Sequence, residues 1–285
     1  MQHQETNTIS GKELGNQIQV EVTDQIKKLK LIPGLAVVLI GNDPASERYV
    51  SIKQKAALNV GIVIHVYRLN EAVTEEEVLQ TIDWLNKDKE VHAILIQLPL
   101  PNHLDEDKII AAMDPKKDVD GFHPENIKAF LADSSLFAPG LVMGIIQLIA
   151  ATNEPLPGKQ AVIVAKSEEF TKTLEHALEP FEITSTLVHP DAPELLEKVH
   201  TADIIITAVG KPHWLTQDMI REGAIIIDVG TKDVSGKITG DVDLSCWNTA
   251  SWISPVPGGV GPMTVAMLLK HTVLLARLST EQNKN

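Results

Sequence analysis

Tyr49 and Lys53 stand four residues apart in the stretch Tyr49-Val50-Ser51-Ile52-Lys53, which follows a turn at Gly41-Asn42-Asp43-Pro44. If that stretch is helical, the two side chains share one face. A phenol beside an ammonium can polarise an oxygen or move a proton. A dry pocket or a second cation draws a lysine down towards neutrality. On its own the pair describes a solvated helix surface equally well.

Two further segments look unlike scaffold. Lys116-Lys117-Asp118-Val119-Asp120-Gly121-Phe122-His123-Pro124 packs charge, glycine and proline into one loop. Ile253 to Thr264 contains Pro255-Val256-Pro257-Gly258-Gly259-Val260-Gly261-Pro262, where permissive and rigid residues alternate. Such a loop opening a helix can present backbone N–H groups to a polar or anionic ligand; the plainer reading is a tight turn.

The elements that must hold these segments read as alternating helices and apolar strands. Leu35 to Ile40, Ile62 to Tyr67 and Val91 to Gln97 are strand-like, with helices expected from Ser10 past Ile26, around Tyr49 and Lys53, and after Thr74. Thr74-Glu75-Glu76-Glu77 is a capping box. After an apolar helix at 144–151 and a linker at 152–158, the alternation restarts. Strands are expected at 160–165, 184–188, 203–208 and 224–229, with helices at 168–178, 192–200 and 216–221 and a last helix at 264–277. Strands apolar on both faces and separated by helices predict mostly parallel α/β sheets.

Hydrophobic residues form 44% of the 285, enough for two cores, and aromatics only 4%, so those cores are aliphatic. The formal net charge of −13 argues against nucleic acid as a partner. The single cysteine, Cys246, excludes a disulfide framework within the chain. His123 and His189 lie in loops without further ligands at metal spacing, so no metal is expected. No apolar stretch reaches membrane-spanning length, and the first residues lack the basic and apolar regions of a leader. The expected setting is the cytoplasm, with no membrane partner.

Several motifs carry a family resemblance. In order they are Gly41-Asn42-Asp43-Pro44-Ala45-Ser46, Tyr49-x-x-x-Lys53-x-Lys55, Gln97-Leu98-Pro99-Leu100-Pro101 and Lys117 to Pro124, followed by Asp228-Val229-Gly230, Gly240-Asp241-Val242-Asp243 and Pro255 to Thr264. Over about Ile9 to Leu278 the chain resembles the FolD family, bifunctional methylenetetrahydrofolate dehydrogenases/methenyltetrahydrofolate cyclohydrolases. The resemblance implies two α/β domains. Residues 1–140, with a returning helix at 262–285, would form a catalytic folate-binding domain. Residues 141–261 would form a Rossmann-like dinucleotide-binding domain. It also implies a homodimer, a tetrahydrofolate substrate, NADP as hydride acceptor, and a place in the one-carbon metabolism that feeds purine biosynthesis.

Carried over residue by residue, Lys53 would transfer the proton, Tyr49 would stack on and orient the folate, and Gln97 would hold and tune Lys53. Asp120 would bind the pterin ring, and Pro257, Gly258 and Gly259 would line the folate side. Ala165, Lys166, Ser167, His189 and Thr231 fall where the family holds the dinucleotide.

The second half departs from the pattern. The family's Gly-Arg-Ser-x-x-Val-Gly-x-Pro is here Ala165-Lys166-Ser167-Glu168-Glu169-Phe170-Thr171-Lys172-Thr173. Both glycines and the proline are replaced, and two acids open the helix where a phosphate would be received. Pro190 and Asp191 stand near where a hydroxyl would meet a 2′-phosphate. These changes cluster on the cofactor side. They leave a second reading open: a relative with altered or lost NADP binding, acting as a cyclohydrolase alone or as a non-catalytic folate- or partner-binding protein.

Overall fold

The computed structural model describes residues 6–133 and 138–282. The start read above as free of a leader lies mostly outside them, at residues 1–5. The chain divides into two compact units. One holds Asn16–Gly140 and the chain from Val265 onward; the other holds the residues up to Gly15 and Leu141–Thr264.

In chain order, β1 (Asn7–Thr8) and α1 (Gly11–Leu29) come first, then β2 (Gly34–Ile40), α2 (Pro44–Val60), β3 (Val63–Leu69), α3 (Glu75–Lys87) and β4 (Ala93–Ile96). Two short helices, α4 (Glu106–Ala111) and α5 (Pro124–Leu131), precede α6 (Gly140–Ala150). There follow β5 (Gln160–Ala165), α7 (Glu168–Leu178), β6 (Thr184–Val188), α8 (Leu195–Thr201), β7 (Ile204–Ala208) and β8 (Ile225–Asp228). A hairpin of β9 (Lys232–Val234) and β10 (Lys237–Thr239), then β11 (Trp252–Ser254) and α9 (Val260–Gln282), complete the chain.

The first unit is built on a parallel sheet in the order β3-β2-β4. Every residue of β2 is buried, as a central strand covered on both faces requires. Val38, Ile82, Leu85, Ile94 and Ile109 pack in its core. α2 starts sharply because the Asp43 carboxylate accepts from the Ser46 N–H at 2.7 Å and Pro44 occupies the first turn. It stops at Gly61, whose φ of 92° is left-handed. The capping box expected at Thr74 is present, with Glu77 answering it.

The second unit carries a six-stranded sheet, β1-β11-β8-β7-β5-β6, in which every neighbouring pair is parallel. The strand order reverses direction about β5, so the carboxyl ends of β5 and β7 flank a topological switch point, where such sheets bind ligands.

The start of the chain belongs with this unit for a physical reason. β1 pairs with β11, Thr6 Oγ1 donates to Trp247 O and Ala250 O at 2.5 and 2.6 Å, and the Lys12 N–H donates to Gly258 O at 3.0 Å. A two-residue strand carries no hydrophobic period, so the sequence did not announce it. The last helix opens at Val260 rather than Thr264, because Pro262 falls in the first turn, where its missing N–H costs nothing. The region read as a helix at 216–221 is a single 3-10 turn, Gln217–Met219. Among the described residues no helix is long and apolar enough to cross a membrane.

Candidate active site

α2 and the end of β4 bring together two of the residues singled out above. Lys53 Nζ donates to Gln97 Oε1 at 3.0 Å. The other end of the same amide donates from Nε2 to Leu98 O at 2.6 Å. That second bond fixes which way the amide faces, so its oxygen is the atom offered to the ammonium. Gln97 is buried, and its N–H continues the sheet by donating to Val38 O at 2.9 Å.

Burial lowers the Lys53 pKa, and the negative charge of Asp120 opposes the shift. The Asp120 carboxyl is pushed up to about 6 by burial, while Lys53 pulls it down and Asp118 adds to the rise. The two groups are electrostatic partners in a site that disfavours both charges. Tyr49, half-buried, sits one helical turn before Lys53 on α2.

The Asp120 loop is held by neighbours that do no chemistry. Residues 117–119 lie along β4: Ile94 N–H donates to Lys117 O at 2.7 Å, and Val119 N–H to Ile94 O at 3.4 Å. Lys117 Nζ donates to Leu85 O and Asp88 O at 2.9 and 2.6 Å, closing the end of α3. Asp118 is buried and accepts from the N–H groups of Gly121 and His123 at 3.0 and 2.8 Å and from Asn126 Nδ2 at 2.9 Å. His123 caps α5, its Nδ1 accepting from Glu125 N–H at 3.1 Å. It is thus a hydrogen-bonding residue. Among the described residues no cluster of three or more His, Cys, Asp or Glu could hold a metal ion. Residue type alone separates none of these roles: Asp118 and Asp120 differ only in what surrounds them.

The remaining candidates belong to the second unit. Pro257, Gly258 and Gly259 form the turn into α9, closed by the Gly259 N–H donating to Pro255 O at 2.6 Å. Gly258 has a φ of 117°, which a side chain would strain.

Ala165, Lys166 and Ser167 end β5, His189 follows β6, and Thr231 follows β8. Two buried acids that the sequence reading quoted without a role shape this end of the sheet. Asp241 accepts from Thr207 Oγ1, Val209 N–H and Lys211 N–H at 2.8, 2.7 and 2.8 Å. Asp228 accepts from Gly230, Asp241 and Val242 N–H groups at 3.0, 3.1 and 3.0 Å. Burial pushes its carboxyl up to about 7 against those three donors. A Cβ on Gly230 would lie 2.1 Å from the Asp241 carboxyl carbon, so only glycine fits there.

A dinucleotide fits this end of the sheet, with an altered phosphate grip. Lys166 is exposed beside the switch point, and Lys211 and His189 both approach Asp191, at 3.8 and 3.7 Å. Gly210 has a φ of 72° and open space where a side chain would be. The turn itself is filled in: Ala165 and Thr171 are buried, and Thr171 Oγ1 donates to Ser167 O at 2.6 Å. Ser167 Oγ accepts from Phe170 N–H at 3.2 Å and so caps α7. Glu168 faces Lys172 at 3.4 Å, which offsets part of the acid placed at this helix start.

Two family models match the chain. One, described as tetrahydrofolate dehydrogenase/cyclohydrolase, catalytic domain, matches residues 9–120. The other, tetrahydrofolate dehydrogenase/cyclohydrolase, NAD(P)-binding domain, matches residues 139–280. The bifunctional protein FolD of Streptococcus pyogenes is 44% identical over 283 residues, covering 97% of this chain and all of the relative. The solved structure of the bifunctional FolD enzyme from Campylobacter jejuni is 40% identical with a TM-score of 0.91, covering 96% of this chain and 99% of that one. The Trypanosoma brucei FolD, solved with NADP and an inhibitor, is 30% identical with a TM-score of 0.92, covering 97% and 99%.

Proposed function

The chain belongs to the tetrahydrofolate dehydrogenase/cyclohydrolase family, and from its residues we propose how it carries out that family's two reactions. It oxidises 5,10-methylenetetrahydrofolate to 5,10-methenyltetrahydrofolate with NADP and hydrolyses the product to 10-formyltetrahydrofolate. The observation that carries the reading is Lys53, desolvated, bonded to Gln97 and set against Asp120.

NADP, when bound, supplies the acceptor for the hydride that leaves the methylene carbon. That step asks the protein for position more than for acid or base. Tyr49 supplies a flat face for the folate, and the Asp120 carboxylate an acceptor for the donor edge of the pterin. Pro257, Gly258 and Gly259 are assigned to the folate by the family resemblance. Ala165, Lys166, Ser167, His189 and Thr231 would hold the dinucleotide when it is bound.

Hydrolysis then needs a proton moved. Water adds to the methenyl carbon, Lys53 as the neutral amine takes one proton from it, and the carbon–N5 bond breaks as Lys53 returns that proton to N5. The second proton of the water leaves to solvent. Burial of Lys53 favours the neutral amine this requires, and Gln97 Oε1 keeps it aimed.

The test is the absorbance of the methenyl chromophore. Incubation with methylenetetrahydrofolate should build that band only when NADP is present, and supplied methenyltetrahydrofolate should decay faster than in buffer. Absence of both changes would overturn the reading.

The cofactor assignment has its own check. Lys166→Glu should weaken NADP about tenfold in a calorimetric titration, because a cation next to phosphate becomes an anion.

The enzyme works in the cytoplasm as a homodimer, its 10-formyl product serving purine biosynthesis. Support for the dimer comes from β3, whose outer edge has no strand paired to it among the described residues, with Ile32 and Val63 exposed nearby. Light scattering after size exclusion should give twice the chain's 31.1 kDa; a mass of one chain would refute it.

A further inference from the structure

The peptide that carries Asp120 is fixed from an unexpected direction. His271, on α9, is buried, and its Nδ1 lies 3.0 Å from the carbonyl oxygen of Val119. A carbonyl only accepts, so Nδ1 carries the proton. The neighbouring carbonyl, that of Asp120 itself, accepts from the Gly140 N–H at 3.0 Å. Gly140 also packs close to α9: a Cβ there would stand 3.5 Å from Met267 Cβ and 3.8 Å from the His271 ring. On the other side, the Asp118 carboxylate takes two backbone N–H groups and an amide. Three consecutive residues are therefore clamped, and the Asp120 carboxyl is held where it acts on Lys53.

We propose that His271 is a positioning residue for the proton-transfer site, setting the Asp120 carboxylate against Lys53 through its bond to the Val119 carbonyl. The proposal rests on the reading of Lys53 and Asp120 given above. The competing account is a histidine that merely fills the core between α9 and the 118–120 loop. The two differ in what they ask of the side chain. Packing asks for volume, which leucine supplies. Positioning asks for a donor at the δ position, which asparagine supplies and glutamine, one bond longer, does not.

Burial holds the imidazole far below its ordinary pKa, at about 4, with Lys270 adding to the fall and the Val119 carbonyl and Asp118 opposing it. The ring therefore stays neutral through the working range. Any change in the acid limb of the rate profile then reports on Lys53 and Asp120, which are electrostatic partners, and not on the imidazole.

The experiment compares full-length His271→Leu, His271→Asn and His271→Gln with the native chain in hydrolysis of methenyltetrahydrofolate across pH. NADP affinity is measured in parallel by calorimetry. The expected result is a loss of about tenfold in kcat/KM for Leu and Gln, with a displaced acid limb and unchanged NADP affinity, and recovery to within about threefold for Asn. Native kcat/KM and acid limb in Leu or Gln would overturn the proposal, as would an Asn variant no better than Gln. If the Leu variant does not fold, the Asn and Gln pair decides the matter. Lys53→Ala is run alongside: native activity there sinks the reading of the site itself, whereas its loss together with an intact Gln variant sinks only the role of His271.

Discussion

Lys53→Ala should lower methenyltetrahydrofolate hydrolysis by about 10³-fold, in the range a positioned acid–base group contributes. The fold should survive, because the side chain's hydrogen bond is to a single neutral partner, Gln97. Lys53→Arg should not rescue. A guanidinium stays charged at every accessible pH and cannot take the proton from water. The measurement is decay of the methenyl band under single turnover. Folding is checked by thermal melting, and methylenetetrahydrofolate oxidation is followed separately through NADP reduction. Hydrolysis within threefold of native in the alanine variant would remove Lys53 from the chemistry. Gln97→Leu should cost less, because it removes the aim of the amine and leaves the amine itself.

Asp241→Ala should destabilise the second unit by about 3–5 kcal/mol. The carboxylate is buried and satisfies three donors: the Thr207 hydroxyl and the N–H groups of Val209 and Lys211. Alanine removes both acceptor oxygens at once and leaves the three donors little water to turn to. Tryptophan fluorescence reads this unit well, since Trp214, Trp247 and Trp252 lie in it and Trp84 lies in the other. A melting midpoint within two degrees of native would show that the loop does not depend on this carboxylate. Asp241→Asn should fall between the two, since its amide keeps one acceptor but turns a donor towards another donor.

Much of this arrangement was legible in the residues. The strands buried on both faces, β2 above all, announce themselves as apolar runs, and the Thr74 capping box and the Asp43-Pro44 start carry local signals. The Tyr49–Lys53 pair was legible as a shared helix face, and its meaning came from Gln97 and Asp120, far apart in sequence. What sequence could not convey was contingent on tertiary contact. Asp118 looks as chemical as Asp120 until its oxygens are seen to be spent on Gly121, His123 and Asn126. His271 sits in an apolar helix with nothing nearby in sequence to mark its bond to Val119. β1 is too short for any periodicity. Cys246 is fully buried, with its thiol pushed up to about 12 by burial, which makes it inert.

The pairing of β1 with β11 also bears on how the chain folds. Asn7 and its partner Ser251 are 244 residues apart, so β1 cannot dock until the distant β11 is in place. The other unit waits as well, because its final helical segment follows Val265. Neither half is completed by its neighbouring sequence alone, because each closes on a segment distant along the chain. Closures of such range are made late in folding, after the contacts between neighbouring elements.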